Sequence, residues 1–241
     1  MVLSLQEYAL ILVFVFSWKI QRNLWGINPW LALLGSMMAV MLQGYWCGPC
    51  PDGHTSYGHG LALIPCLVYL LHRYQNHPKL FLISLGLGCL FALGAAAPFH
   101  TLPPMLVTVF LWCVIFFKEH QWSKIRNIMC GLIIAFGVCN APNIIAMLSL
   151  FPYSTRSAVS TNTVNFAEIM CLGRLKRLLA LLIGIATIDY LRHDQQARRV
   201  MYFFGAFLAL PIIALISQKL HIFSFFRWHL LYIGNAALPF M

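Results

Sequence analysis

Hydrophobic and polar positions follow one another along this chain in long blocks. Apolar runs cover about residues 5–18, 28–45, 61–71, 80–97, 105–117, 128–150, 178–191 and 200–217, each bounded by a basic or Pro/Gly-rich break. Runs approaching 20 residues match the hydrocarbon thickness of a bilayer. In such runs every backbone amide must be satisfied internally, which selects helix, and the continuous apolar character lacks the alternation of a strand barrel. The pattern predicts an all-α fold: a polytopic transmembrane helical bundle of about eight spans plus a partial C-terminal one, as a single domain over residues 1–241. The fourth run is rich in small residues (Gly86, Gly88, Gly94 and Ala95 to Ala97), which predicts close helix packing. Residues 98–104 (PFHTLPP) read as a reversing turn, and Asn140-Ala-Pro-Asn143 as a kink within the sixth run.

Composition strengthens this picture. The chain is 61% hydrophobic and only 9% charged, with a mean hydropathy of +0.78; a soluble domain carries about a quarter charged residues. The formal net charge of +10 resides in short loops between apolar runs, the placement that lipid head groups favour, so no nucleic-acid partner is expected. Alternate loops put Lys19, Arg22, Arg73, Lys79, Lys118, Lys124, Arg126, Arg192, Arg198 and Arg199 on one face, against Arg156, Arg174, Lys176, Arg177, Lys219 and Arg227 on the other. The positive-inside rule makes the first face cytoplasmic in a bacterial inner membrane, with the bilayer as obligatory partner. The polar islands 46–60, 98–104, 152–168 and 218–229 then collect on the outer face. The first run is followed by Lys19 and Arg22 without a small-residue cleavage site, unlike a signal peptide. An outward N-terminus and a short last run predict that these residues belong to a longer polytopic protein.

Candidate chemistry concentrates in the island 46–60, WCGPCPDGHTSYGHG. Cys47 and Cys50 are the only closely spaced cysteines; the other six lie in or beside apolar runs, where Cys acts as a small hydrophobe. The string Trp46-Cys-Gly-Pro-Cys50 matches the thioredoxin active-site string over five residues, although no strand-like run flanks it here. Thiol exchange and a loop disulfide between Cys47 and Cys50 both remain open. Asp52, His54 and His59 with the two cysteines fit no familiar metal-ligand spacing, so no metal or other cofactor is predicted, and a divalent cation has no support. His72, His77, His120 and His193 fall on the basic side and read as interface residues.

Transfer of a sugar from a lipid carrier needs an outward carboxylate, a cation for the phosphate leaving group and flat surfaces for the sugar. Asp52 and Glu168 are the outward acids besides Glu7, and Arg156 and Arg227 suit bidentate phosphate binding. Trp46, Tyr57, His59, His100 and Trp228 would line a groove, although Trp and Tyr at helix ends serve equally as interface anchors.

Three stretches carry a family resemblance: GHGLALIPCLVYLLHR (58–73), APNIIAMLSLFPYSTR (141–156) and FSFFRWHLLYIGNAALPF (223–240). They are similar to segments of bacterial multi-spanning membrane glycosyltransferases of the GT-C type and their relatives, over about half the chain. The resemblance implies an enzyme using polyprenyl-phosphate-linked sugars at the outer face, in cell-envelope polysaccharide assembly. In that family the catalytic acids usually sit in a large first outer loop. This chain has no such loop and no paired Asp motif, so Arg156 and Arg227 are the positions carried over. Two other readings stay open. One is a transporter or flippase of a lipid-linked or small polar substrate, signalled by the interruption at Asn140–Asn143; the other is a membrane thiol-disulfide oxidoreductase using Cys47 and Cys50.

Overall fold

The structure, a computed structural model, describes residues 5–47, 55–94, 98–117, 121–150, 195–219 and 240. The regular elements among them are all helical: α1 (Leu5–Lys19), α2 (Pro29–Cys47), α3 (Thr55–Arg73), α4 (Leu80–Gly94), α5 (Pro98–Phe116), α6 (Trp122–Cys139), α7 (Ala141–Leu150) and α8 (Gln195–Lys219). The apolar run 178–191 lies outside the described residues.

The all-α expectation holds among the described residues; a polytopic bundle of about eight spans is not shown by them. By length and composition, α6 is the one described helix suited to cross a membrane, while α2 to α5 carry shorter apolar stretches. At 1.5 Å per residue, the 15 residues of α4 reach about 22 Å, short of a full hydrocarbon core.

Local chemistry explains the boundaries. A single π-helical turn, Ile20–Leu24, follows α1. Gly26, at φ 70°, then reverses the chain in a left-handed conformation that other residues rarely adopt. Asn28 caps α2, its Oδ1 accepting from the Trp30 amide at 3.0 Å, with Pro29 in the first helical position, where its missing N–H costs nothing. The third run is helical from Thr55, well ahead of its apolar start. Residues 98–104 are also helical, which corrects the expected turn. Pro98 opens α5 with its φ already near the helical value. Pro103 and Pro104 follow within the helix, and Thr108 Oγ1 donates to the Pro104 carbonyl at 2.6 Å. The expected interruption of the sixth run is present. α6 ends at Cys139, Asn140 adopts φ −106°, ψ 11°, and α7 begins at Ala141.

Among the described helices, α4 and α6 form the most extensive pair, while α1 packs on α2 and α3, and α5 on α3 and α8. The α4–α6 seam is made of small residues spaced four apart on both helices: Ser84 and Gly88 face Gly131 and Ala135. A Cβ at Gly88 would stand 2.7 Å from the Ala135 Cβ; one at Gly131 would stand 2.9 Å from the Ser84 Cβ and 3.0 Å from the Phe81 carbonyl oxygen. The backbones are therefore nearly in contact, the arrangement that small-xxx-small spacing permits.

Buried polar side chains turn back on their own helices. Ser36 Oγ donates to the Ala32 carbonyl at 2.6 Å, Ser84 Oγ to Leu80 at 2.8 Å, and Asn140 Nδ2 to Phe136 at 3.2 Å. Such bonds satisfy polar groups without water. α2 shows the complementary surface. Ala32, Ser36 and Ala39 are fully buried along one stripe, while Trp30, Leu34, Met38 and Met41 are exposed along the other, Met41 by 77%. Small and polar residues face inward and large apolar ones outward, the inverse of a soluble amphipathic helix.

Candidate functional site

Eight of the ten basic residues assigned to one face are described: Lys19, Arg22, Arg73, Lys79, Lys124, Arg126, Arg198 and Arg199. They lie where α1 and α3 end and where α4, α6 and α8 begin. These termini meet at one end of the bundle. Lys124 Nζ donates to Asn76 Oδ1 at 2.6 Å, joining α6 to the α3–α4 turn, and Gln196 Nε2 donates to the Leu24 carbonyl at 2.6 Å, joining α8 to the turn after α1. The Lys19 ammonium sits over the rings of Phe16 and Tyr69, 5.2 and 5.7 Å from their centroids, a cation–π arrangement linking α1 to α3.

Beneath this polar layer is an aromatic core centred on Trp112, which is almost completely buried. Its ring stacks on Phe116 with centroids 4.2 Å apart and on Trp25 at 6.2 Å, and meets Phe203 edge-on at 5.5 Å. Phe240 also stacks on Trp112, at 5.9 Å, and its carbonyl accepts from Gln21 Nε2 at 3.2 Å. By length, the final apolar stretch is expected to fall short of a crossing. α8 starts at this end, and Phe240 lies here as well.

Between core and surface opens a cavity of about 400 Å³. Leu24 and Phe116 supply its apolar wall. His72 from α3, Gln75 and Asn76 from the α3–α4 turn, Gln121 ahead of α6, and Gln196 and Arg199 from α8 supply its polar wall. His72 stands past the end of the apolar run 61–71, in the polar layer. Trp112 Nε1 donates to His72 Nδ1 at 3.2 Å. That bond requires an unprotonated Nδ1 and leaves Nε2–H as the neutral ring's donor. Burial pushes the His72 imidazole below the ordinary histidine range. Among the described residues, the cavity lining therefore offers one fixed cation, a neutral imidazole and several amides. No group of three or more metal-ligating side chains occurs among the described residues.

The residues singled out by sequence concern the opposite end. Trp46 and Cys47 lie in the last turn of α2, Tyr57 and His59 in the first turns of α3, and His100 in the first turn of α5. Gly60 packs against Thr101, one position beyond His59 and His100 in their respective helices. Asp52, Cys50, Arg156, Glu168, Arg227 and Trp228 lie outside the described residues. The structure thus brings the starts of α3 and α5 together and bears on no carboxylate or arginine of the proposed sugar site.

A second cysteine pair is invisible to sequence spacing. Cys89 on α4 and Cys139 on α6 are free cysteines that lie close to one another, although 50 positions separate them in the chain. The cavity also escapes sequence reasoning. Its amides come from three separate polar segments, and only the clustering of Gln and Asn beside basic residues hints at it. No protein-family model, no curated protein and no solved structure matches this chain.

Proposed function

We propose that this chain is a multi-spanning integral membrane protein that transfers sugars from a polyprenyl-phosphate carrier at the face opposite its basic end, as enzymes of the GT-C type do. The observation that carries the membrane part is the inverted amphipathicity of α2: a bundle with Trp30, Leu34 and Met41 outward and Ala32, Ser36 and Ala39 inward is suited to lipid and not to water. Exposed Leu90 and Leu93 on α4 and Val138 on α6 extend the same apolar surface. The basic termini at one end then belong to the cytoplasm under the positive-inside rule.

The catalytic part rests on the resemblance of residues 58–73, 141–156 and 223–240 to GT-C segments. Asp52 is its carboxylate, with Glu168 as the second outward acid; Arg156 and Arg227 hold the carrier phosphate, and Trp46, Tyr57, His59, His100 and Trp228 line the acceptor groove. Replacing Arg156 by Ala is expected to abolish the lipid-linked or polymerised sugar product while leaving the protein in the membrane. An unchanged envelope-polysaccharide profile in that strain, with the protein present at normal level, refutes this reading.

The Cys89–Cys139 pair favours a second reading, a thiol-disulfide oxidoreductase. Relay of electrons from Cys47 and Cys50 needs a second dithiol, and this pair is the candidate. Loss of function on replacing both Cys89 and Cys139 by Ser, with sugar products unaffected, would select it. A transporter gains less support, because the Asn140 amide at the helix interruption bonds to its own helix.

A further inference from the structure

We propose that the cavity at the basic end binds a phosphate group carrying a single negative charge, of the kind present in an anionic phospholipid head group. The lipid as source rests on the membrane reading above; the phosphate chemistry does not.

Charge comes first. The chain holds 16 Lys and Arg against six Asp and Glu, so at least ten cations must find counter-charges outside the protein. Arg199 is the cation on the cavity wall, half-buried, and it makes no ion pair among the described residues. A guanidinium drawn partly out of water is stabilised most by an oxyanion that accepts its fork of N–H groups.

Geometry narrows the class. Polar groups reach the cavity from different directions: Arg199 from α8, His72 from α3, Gln75 from the α3–α4 turn and Gln121 from the residue before α6. The side-chain amides of Gln75 and Gln121 make no hydrogen bond among the described residues, and His72 keeps Nε2–H available while Nδ1 is held by Trp112. A flat carboxylate accepts in one plane, whereas a tetrahedral phosphate accepts from donors distributed around it. One guanidinium among neutral donors balances one negative charge, as in a phosphodiester. Asn76 Oδ1 is already engaged by Lys124, which does not line the cavity. The cavity's volume of about 400 Å³ lies toward the small end of ligand sites, and its Leu24 and Phe116 wall provides apolar surface for the glycerol and first methylenes.

The test uses the full chain purified in detergent. Phosphatidylglycerol, phosphatidylcholine, glycerol phosphate and inorganic phosphate are added separately. Thermal melting and lipid retention in native mass spectrometry are read for the parent, Arg199→Gln, Gln121→Leu and the exposed control Arg198→Gln. Phosphatidylglycerol is expected to raise the melting temperature and to stay bound, with retention falling about tenfold in Arg199→Gln, less in Gln121→Leu, and not in Arg198→Gln. Stabilisation by glycerol phosphate or inorganic phosphate alone, lost in Arg199→Gln, upholds the phosphate site and assigns it a soluble ligand. Equal retention of phosphatidylglycerol and phosphatidylcholine, or no difference between Arg199→Gln and Arg198→Gln, overturns the proposal. Should Arg199→Gln not fold, the same comparison between Gln121→Leu and Arg198→Gln decides. A chain that stays dispersed without detergent fails the membrane reading separately, whatever the phosphate arms show.

Discussion

Gly131→Leu is expected to destroy the native bundle, whereas Gly86→Leu, on the partner helix, leaves it intact. At Gly131 the new Cβ meets the Ser84 Cβ at 2.9 Å, the Phe81 carbonyl oxygen at 3.0 Å and the Leu85 amide nitrogen at 3.1 Å. Two of these three neighbours are backbone atoms of α4, which cannot rotate away as a side chain would. The helices must separate, and the Ser84–Gly88 and Gly131–Ala135 contacts are lost along the whole seam. Overpacking a tight site costs roughly 1–3 kcal/mol when side chains alone must yield, so the upper end of that range is the minimum here. At Gly86 a new Cβ would have nothing within 4 Å, and a leucine there joins an already apolar surface. Size-exclusion profiles and thermal melting in detergent separate the two. Gly88→Leu should resemble Gly131→Leu, because its Cβ would lie 3.2 Å from the Leu132 Cα.

Trp112→Ala is the second large effect, and it acts at the basic end. The side chain is at the centre of a stack formed by Trp25, Phe116 and Phe240 and meets Phe203 edge-on. Truncation leaves a cavity the size of an indole among rings contributed by α5, α8 and the turn after α1, with an expected loss of roughly 3–5 kcal/mol. Trp30→Ala, at a tryptophan 75% exposed, should change the melting temperature little.

Removing Trp112 also frees His72, which gives the loss a pH signature. In the parent, burial holds the folded-state pKa of His72 below its unfolded value of about 6.5. A protonated ring, moreover, cannot accept the Trp112 bond at Nδ1. The unfolded chain therefore takes up the proton first as pH falls. Stability from this group is complete above the unfolded pKa and declines as pH drops through it toward the folded value. Melting temperature should be flat above neutrality and fall in mildly acidic buffer, and His72→Gln should flatten the acidic limb.

Much of this architecture is legible in the apolar blocks and their basic punctuation. The order of helices, the gathering of Lys19, Arg73, Lys124 and Arg199 and the break at Asn140 all follow from spacing and residue type. The start of α5 does not, because three prolines in 98–104 suggest a turn, while their fixed φ is equally at home in the early turns of a helix. Small residues in the fourth run do foretell close packing, but not which ones: Gly88 is at the seam and Gly86 faces open space. Which faces meet is settled by contacts distant in sequence. For the same reason Gly131, the Cys89–Cys139 pair, the amide-lined cavity and the return of Phe240 to the Trp112 stack leave no local trace. Of the residues proposed for sugar transfer, the described ones (Trp46, Tyr57, His59 and His100) fall at helix ends away from the basic end.

The proposed membrane orientation is tested most directly by tag accessibility. One epitope is inserted beside Asp52 and, in a separate strain, another in the α3–α4 turn beside Asn76. Antibody binding in intact spheroplasts at the first position, and at the second only after lysis, is the predicted result. The reverse pattern, or equal accessibility at both positions, contradicts it.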